Sequence, residues 1–498
     1  MFNTNWQERA RGISFDVRDF IEGRPTVNVS ATRLEKYGPR DGRLLYTIPS
    51  SGPAGVDQAV MSARRAFEDG RWSQRSIQQR KDVLLRLADL VDSKREELAL
   101  LECLDVGKPI SDALLIDIPM TCAGLRYCAE ASDKVHSRVY GSDPFSLSYE
   151  LCRPIGVVGG IVGWNFPLSL AMQKLAPALA TGNTLVLKPS EWTSLSASRM
   201  AELALEAGVP PGVFNVVHGN REVGSRLAHH PDVDLLSFTG SSATGRALMV
   251  AAGSSNMKRL ILECGGKAPN IVFDDCPDLG AVADHVIRSA FWNQGEVCAA
   301  SSRLLIQASI KSDLLSRLIE RLTELRPSDP LDGNTRFGAL VSQAHLDKVS
   351  GYLALAQREG GHLAYRGEFK TPVEGGFYFA PCVIDGVTSR QRIAQEEVFG
   401  PLLAVLSFND EAEAVRMAND TVYGLTATVW TENLGRAHRA SQAIRAGSIT
   451  VNATARPQGG VGDSVLTIGG HRQSGLGVEG GLAGLKAYMS STAVQYFV

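Results

Sequence analysis

The sequence has no excess of charge of either sign. Its 498 residues include 51 Lys+Arg and 53 Asp+Glu, which gives a formal net charge of -2. Proteins dedicated to nucleic acids or anionic membrane surfaces are usually far more basic. We therefore expect neither a nucleic-acid partner nor a membrane partner, and the length is that of about three domains or two large ones.

The sequence also lacks the cysteine spacings that mark disulfide frameworks and zinc sites. Its eight cysteines are scattered and form no CxxC pair. A chain of this length does not need disulfides to stabilise a core, so a reducing cytoplasm is the expected location and no metal site is expected. The HExxH and GxSxG motifs are absent as well, which argues against metalloproteases and serine hydrolases.

No long apolar run resembles a signal core or a membrane span. The first twenty residues carry charge throughout. The uncharged stretch 154–173 contains four glycines, two prolines and Asn165, which fits a buried strand and a turn better than a span.

What is present is an alternation of strands and helices. The first ~130 residues predict mainly helices, such as 56–69 and 80–104, from apolar residues at three- and four-residue spacing. Buried strands separated by helical segments then predict a parallel, doubly wound sheet, at 155–163, 184–188, 214–219, 234–240 and 259–266.

The alternation resumes later and predicts a second sheet of the same kind. Its expected strands are 302–307, 401–408, 425–431 and 448–452. The fold class is therefore α/β, with two doubly wound domains and a small β ribbon formed by 147–154 and 486–498. Bare strand edges invite pairing, so the ribbon is an oligomerisation candidate.

Polar and glycine residues follow each strand of the first predicted sheet. Ligands bind beyond the carboxyl ends of parallel strands, so this set indicates a binding site. The need for a turn at the end of a strand would explain a polar or glycine residue at any one of these positions. It explains less well why such residues follow all five strands. The residues are Trp164, Asn165, Lys188, Glu191, Gly219, the run GSSATG at 240–245, Glu263, Gly265 and Gly266.

Three of these features suit a dinucleotide. The GSSATG run opens a helix and offers backbone N–H groups to an anion, although it is not the GxGxxG fingerprint. Lys188 and Glu191 resemble groups that hold an adenosine ribose, and a carboxylate repels a 2′-phosphate. Glu191 therefore favours NAD over NADP.

Cys298 lies in a glycine-containing turn just before a strand. Most lone cysteines are inert core residues, but the flanking Gln294, Gly295 and Glu296 are not typical of a core. A reactive cysteine needs a thiolate or a nearby base, and no local Cys–His arrangement exists.

Together, these residues resemble the NAD(P)-dependent aldehyde dehydrogenase superfamily over nearly the whole chain. The resemblance rests on motifs in the family's order at 163–183, 185–193, 238–245, 262–273, 293–298, 396–401 and 469–477. It implies a dinucleotide-binding domain (1–131 and 155–266), a catalytic domain (267–465) and an oligomerisation ribbon (132–154 and 482–498) in a homodimer or homotetramer.

The resemblance also implies roles for individual residues. Cys298 would attack the aldehyde, Asn165 would stabilise the oxyanion, Glu263 would be the general base, and Lys174 would lie near that base. The cofactor contacts would be Trp164, Lys188, Glu191, Gly219, Gly240, Ser241, Gly245, Glu397 and Phe399. Taken alone, Glu397 suits an ion pair and Phe399 suits core packing.

The substrate pocket departs from the family pattern. Gln173 stands where an aromatic residue is frequent, Trp292 supplies one wall, and the loop 452–470 carries Arg456 and Asp463 in place of aromatic residues. A polar ω-aldehyde is therefore expected, such as an amino-, acylamino- or carboxy-aldehyde. A CoA-acylating semialdehyde dehydrogenase and a non-catalytic binding protein with the same fold remain the alternatives.

Overall fold

The computed structural model describes residues 4–26, 32–141, 143–453 and 465–497. Its strands form two mainly parallel sheets, a two-stranded ribbon and one further hairpin. The strands are β1 (Asp19–Ile21), β2 (Arg24–Thr26), β3 (Arg33–Tyr37), β4 (Leu44–Pro49), β5 (Ser146–Pro154), β6 (Val157–Ile161), β7 (Thr184–Lys188), β8 (Phe214–Val216), β9 (Leu235–Thr239), β10 (Arg259–Glu263), β11 (Pro269–Val272), β12 (Arg303–Gln307), β13 (His362–Arg366), β14 (Cys382–Asp385), β15 (Leu402–Phe408), β16 (Thr426–Trp430), β17 (Ser448–Val451), β18 (Gly475–Leu476) and β19 (Met489–Phe497).

The helices lie between these strands and cover both sheets. They are α1 (Trp6–Arg11), α2 (Gly52–Glu68), α3 (Ile77–Ser93), α4 (Arg95–Val106), α5 (Ile110–Asp112), α6 (Ile118–Ala131), α7 (Pro167–Ala180), α8 (Leu195–Glu206), α9 (Arg221–His229), α10 (Ser242–Gly253), α11 (Leu279–Phe291), α12 (Lys311–Leu322), α13 (Gln343–Arg358), α14 (Arg392–Gln395), α15 (Glu411–Asn419), α16 (Leu434–Ala443) and α17 (Gly481–Ala487). A π-helical turn at Ala113–Asp117 joins α5 to α6. None of the described helices is long and apolar enough to cross a membrane.

The first sheet is doubly wound, as predicted. Its strand order is β18-β10-β9-β6-β7-β8-β1-β2, and β6 to β10 run parallel. Among the five parallel strands, the chain begins in the middle with β6 and moves outward through β7 and β8. It then crosses to the other side of β6 and adds β9 and β10. The loops after β6 and β9 therefore diverge, which opens a crevice at the carboxyl ends of these strands.

The second sheet confirms the second α/β unit. Its order is β13-β14-β15-β12-β11-β16-β17, and all its neighbouring strands are parallel except the β13–β14 pair. The buried apolar runs of β12 and β15 explain why these segments form inner strands.

The predicted ribbon also forms. Strand β19 pairs antiparallel with β5, from Met489 opposite Pro154 to Phe497 opposite Ser146. The tail strand begins at Met489 rather than at residue 486, because α17 continues to Ala487 and buries Leu485 in the core below α7.

The amino-terminal third differs from the sequence prediction in two ways. The short strands β1 to β4 accompany the helices, and the helix expected at 80–104 is broken at Lys94 into α3 and α4. A capping box between Ser76 and Gln79 begins α3 before the predicted start. The predicted domain boundaries stay a prediction. Strand β18 lies between the predicted catalytic domain, which ends at 465, and the ribbon segment, which begins at 482, and it joins the first sheet through β10.

Candidate active site

A single cavity of about 940 Å³ lies between the two sheets and gathers most of the predicted site residues. Those on its wall are Trp164, Asn165, Gln173, Lys188, Glu191, Gly240, Ser241, Glu263, Trp292, Cys298, Glu397 and Phe399. Lys174, Gly219 and Gly245 lie outside the wall, and Arg456 falls outside the described residues.

The nucleophile loop, residues 293–298, is held in an unusual backbone shape. Asn293, Gln294 and Gly295 all have positive φ angles of 49°, 58° and 72°. The Gln294 side chain accepts a hydrogen bond from the backbone N–H of Gly338 at 3.0 Å. This strained turn directs Cys298 into the cavity just before β12 of the second sheet.

Asn165 connects this loop to the first sheet. Its side-chain amide donates a hydrogen bond of 2.9 Å to the backbone oxygen of Glu296. A primary amide carries two N–H groups, so one remains available to a ligand beside Cys298.

The glycine pair 265–266 explains how the chain that leaves β10 after Glu263 can approach Cys298. A Cβ atom at Gly266 would lie 2.5 Å from the carbonyl oxygen of Cys298, and a Cβ atom at Gly265 would collide with the carboxylate of Glu397. The backbone N–H of Gly266 also donates to Glu397 Oε1 at 3.0 Å. Only glycine permits this approach of β10 to both residues.

Glu263 is 8% exposed, and its Oε1 has no hydrogen-bond partner among the described residues. Burial raises the pKa of Glu263 to about 8, and the nearby charge of Glu479 raises it further against the opposing effect of Lys174. A carboxyl group with this pKa is mostly protonated at neutral pH and ionises just above it, within the range in which a general base can work.

The group between Glu263 and Lys174 is Glu479. The fully buried Lys174 ammonium forms an ion pair with Glu479 Oε1, which also accepts a hydrogen bond of 3.0 Å from Ser237. Glu479 lines the cavity, whereas Lys174 lies behind it.

Burial raises the pKa of the Cys298 thiol to about 12, and the carboxylates of Glu397 and Glu263 raise it as well. The thiol is therefore protonated at neutral pH in the ligand-free protein, and its proton must be removed before it attacks an electrophile.

The other end of the cavity fits a dinucleotide. Lys188 is buried, and its ammonium lies 3.0 Å from Glu191 Oε2, so a cation and a carboxylate border the cavity together. Ser241 caps α10 by accepting from the N–H of Thr244, and the amino end of that helix reaches the cavity. Gly219 and Gly245 are closely packed outside this wall. A Cβ at Gly219 (φ 150°) would lie 2.4 Å from Val223 Cγ2, and a Cβ at Gly245 would lie 2.7 Å from Cys264 Sγ.

The wall residues that the sequence analysis missed include His345, Lys348 and Glu479. His345 and Lys348 lie one turn apart on α13, and Trp164 packs edge-on against the His345 ring with centroids 5.2 Å apart. A lone histidine in an amphipathic helix carries no sequence signal, whereas Glu479 lies two residues after the motif at 469–477 and could have been considered.

Comparison with known proteins decides the family. The model of the aldehyde dehydrogenase family matches residues 27–494. The chain belongs to the aldehyde dehydrogenase family. It is accordingly an NAD-dependent oxidoreductase that acts on aldehydes.

Characterised aldehyde dehydrogenases align over almost the full length. Aminoacetaldehyde dehydrogenase of Pseudomonas aeruginosa is 47% identical over 461 residues, covering 92% of this chain and 91% of the relative. The NADP/NAD-dependent aldehyde dehydrogenase PuuC of Escherichia coli is 42% identical, with 97% and 96% covered.

Solved structures share the fold. An indole-3-acetaldehyde dehydrogenase complexed with NAD+ has a TM-score of 0.96 and 45% identity, with 99% of each chain covered. A gamma-glutamyl-gamma-aminobutyraldehyde dehydrogenase from Burkholderia cenocepacia has a TM-score of 0.94 and 43% identity, with 98% of each chain covered.

Proposed function

We propose that this aldehyde dehydrogenase oxidises its substrate through a covalent intermediate on Cys298. The thiol sulfur attacks the aldehyde carbon, the S–C bond forms, and the thiol proton leaves to a base in the cavity. The free N–H of the Asn165 side chain and the backbone N–H of Cys298 stabilise the oxyanion, and fixed donors of this kind are worth ~3 kcal/mol each. The observation that supports this best is that thiol, amide and buried carboxylate share one cavity wall.

Bound NAD would accept the hydride that turns the thiohemiacetal into a thioester. Trp164, Lys188, Glu191, Gly240, Ser241, Glu397 and Phe399 would hold it along the cavity wall. Glu191 disfavours a 2′-phosphate by charge repulsion, so we assign NAD as the preferred cofactor.

Glu263 completes the cycle as general base. Its partnerless Oε1 takes a proton from water, the resulting hydroxyl attacks the thioester carbon, and the carboxylic acid leaves as the S–C bond breaks. Glu479 holds the neighbouring Lys174, and together they set how readily Glu263 ionises. A water-activating base is also the reason to favour hydrolysis over transfer to CoA.

For the substrate we propose a polar ω-aldehyde, such as an amino-, acylamino- or carboxy-aldehyde. Gln173 gives the cavity wall an amide where the family often has an aromatic ring. The same wall carries Trp292 and Phe166, whose ring centroids are 5.1 Å apart. Relatives named for aminoacetaldehyde and for gamma-glutamyl-gamma-aminobutyraldehyde support this class.

A panel of aldehydes of equal length that end in methyl, ammonium, amide or carboxylate tests the substrate class. We expect kcat/KM, read from NADH absorbance, to be at least about tenfold higher for one of the polar termini than for methyl. Highest activity with the methyl-terminated aldehyde would contradict the polar class. Adding CoA should produce no acyl-CoA, and its formation would favour the acylating alternative.

We also propose a homo-oligomer in a reducing cytoplasm. The ribbon of β5 and β19 exposes Phe145, Leu147, Tyr496 and Phe497, and all eight cysteines are free thiols. Removing exposed apolar surface from water favours association. Equilibrium sedimentation of the protein and of the double variant F145S/F497S tests this, since a monomeric parent protein would contradict it.

A further inference from the structure

Phe399 adopts a backbone conformation that its side chain disfavours. Its φ is 62°, in the left-handed region that glycine enters freely and larger residues do not. Phe399 lies two residues after Glu397, and both line the cavity. Something must therefore hold this turn, residues 397–400, in place.

His345 supplies that hold. Its Nε2 lies 2.6 Å from the carbonyl oxygen of Phe399. A carbonyl oxygen only accepts hydrogen bonds, so the hydrogen of the imidazole is on Nε2 and points at this oxygen. Burial lowers the pKa of His345 to about 4, which keeps the ring neutral across the physiological range.

The three rings around this bond contact one another. Trp164 packs edge-on against His345 at 5.2 Å and against Phe399 at 5.1 Å, and the His345 and Phe399 centroids are 6.3 Å apart. His345 therefore faces the proposed cofactor wall from α13, an element of the second half of the chain.

The same turn supports the nucleophile loop. A Cβ atom at Gly295 would lie 2.6 Å from the carbonyl carbon of Gly400, and a Cβ atom at Gly400 would lie 2.6 Å from Val349 Cγ2. The turn is thus packed between α13 on one side and the loop that carries Cys298 on the other. A shift of the turn cannot occur without moving one of these neighbours.

We propose that His345 is a positioning residue, whose Nε2–H fixes the turn 397–400 and thereby sets both the carboxylate of Glu397 and the loop that carries Cys298. The first half of this inference rests on the proposed role of Glu397 as a cofactor contact. His345 itself takes no part in bond making or proton transfer.

Two substitutions separate the hydrogen bond from the ring packing. H345F keeps an aromatic ring against Trp164 and removes the donor, whereas H345Q removes the ring and keeps an N–H at similar reach. We expect H345F to raise KM for NAD about tenfold, equivalent to ~1.4 kcal/mol, with kcat within about threefold of the parent. H345Q should stay within about threefold in both constants. Equal KM in H345F and the parent, or equal loss in H345Q and H345F, would overturn the proposal.

A glycine at position 399 provides a second, independent check. Glycine adopts φ 62° without strain, so the turn no longer needs the bond. Adding H345F to F399G should change KM for NAD by less than about threefold. A full tenfold effect in the F399G background would contradict the proposal, and thermal melting of each variant identifies any folding defect.

A cofactor-free readout distinguishes this inference from the proposed function. Alkylation of Cys298 by iodoacetamide, followed by mass spectrometry of its peptide, should be about fivefold faster in H345F because the loop opens more often. If E397Q leaves KM for NAD unchanged, the cofactor role of Glu397 is wrong, and an unchanged alkylation rate in H345F would then reject the His345 proposal separately.

Discussion

The two parallel sheets present opposite ends to the cavity. In the first sheet the wall residues lie at or after the carboxyl ends of the strands, as Asn165, Lys188 and Glu263 do. On the side of the second sheet, Cys298 and Glu397 instead precede their strands, β12 and β15. The general rule for open α/β sheets therefore describes only one wall of this site.

This comparison shows that both sheets contribute residues to the same site. Each sheet supplies one key carboxylate, Glu263 from the first and Glu397 from the second. The glycine pair 265–266, which follows β10, lets the backbone beyond Glu263 approach the Glu397 carboxylate more closely than any side chain at position 265 would allow. The following predictions compare substitutions of similar residues on the two walls of the cavity.

The largest effect is expected from the two thiols on opposite walls. C298A should lower kcat at least about 10³-fold, because no other group can form the covalent intermediate. C264A, which removes the buried thiol beside Gly245, should keep kcat within about threefold. NADH production under saturating aldehyde measures both, and an active C298A would reject the assigned nucleophile.

Substitution of the two carboxylates, Glu263 and Glu397, should affect the kinetics in different ways. E263Q should lower the steady-state rate by about 10²–10⁴-fold while leaving a burst of NADH, since thioester formation precedes the step that needs the base. E397Q should instead raise KM for NAD and show no burst. Stopped-flow absorbance separates these results, and loss of the burst in E263Q would contradict its assignment to hydrolysis.

The cofactor wall of the first sheet makes a smaller prediction. E191S should raise the ratio of kcat/KM for NADP to that for NAD about tenfold, because the like charge facing a 2′-phosphate is removed. The control is E222S, on the first turn of α9 and away from the cavity wall. An unchanged ratio in E191S would argue against its contact with the ribose.

The smallest expected effect is a displacement of the pH profile. The rate should rise with pH as Glu263 ionises, with a midpoint near 8 in the parent protein. E479Q removes a negative charge that raises this pKa, so the midpoint should move to lower pH by about one unit. Rates measured from pH 6 to 10 decide this, and a shift to higher pH would show that Glu479 acts differently.

The sequence predicted site residues best where they lie at or just after the end of a strand. The strand 184–188 was predicted with its observed bounds, and Asn165, Lys188 and Glu263 were found because parallel strands end at one edge. Cys298 was marked only by flanking residues that are not typical of a core, and its role came from the motif resemblance. Glu397 was identified through that resemblance alone, since residues that precede strands carry no such signal. The domain limits and the residue roles stay predictions.

The features that were missed depend on distant contacts. Strands β1 and β18 have three and two residues and join the first sheet by pairing with the remote strands β8 and β10. The significance of Glu479 arises from Lys174, which lies 305 positions earlier in the chain. No local pattern could reveal such a pair.

The position of Glu479 and Tyr488 has a consequence for biosynthesis. Tyr488 donates a 3.0 Å hydrogen bond to Ser237, which donates in turn to Glu479. The segment 479–488 is translated after every other described part of the cavity wall. Until residues 475–479 have been synthesised, the ammonium of Lys174 lacks the counter-ion that it has in the folded protein, and β10 lacks its edge partner β18. The ion pair beside Glu263 is therefore completed only when the last segment of the cavity wall has been translated.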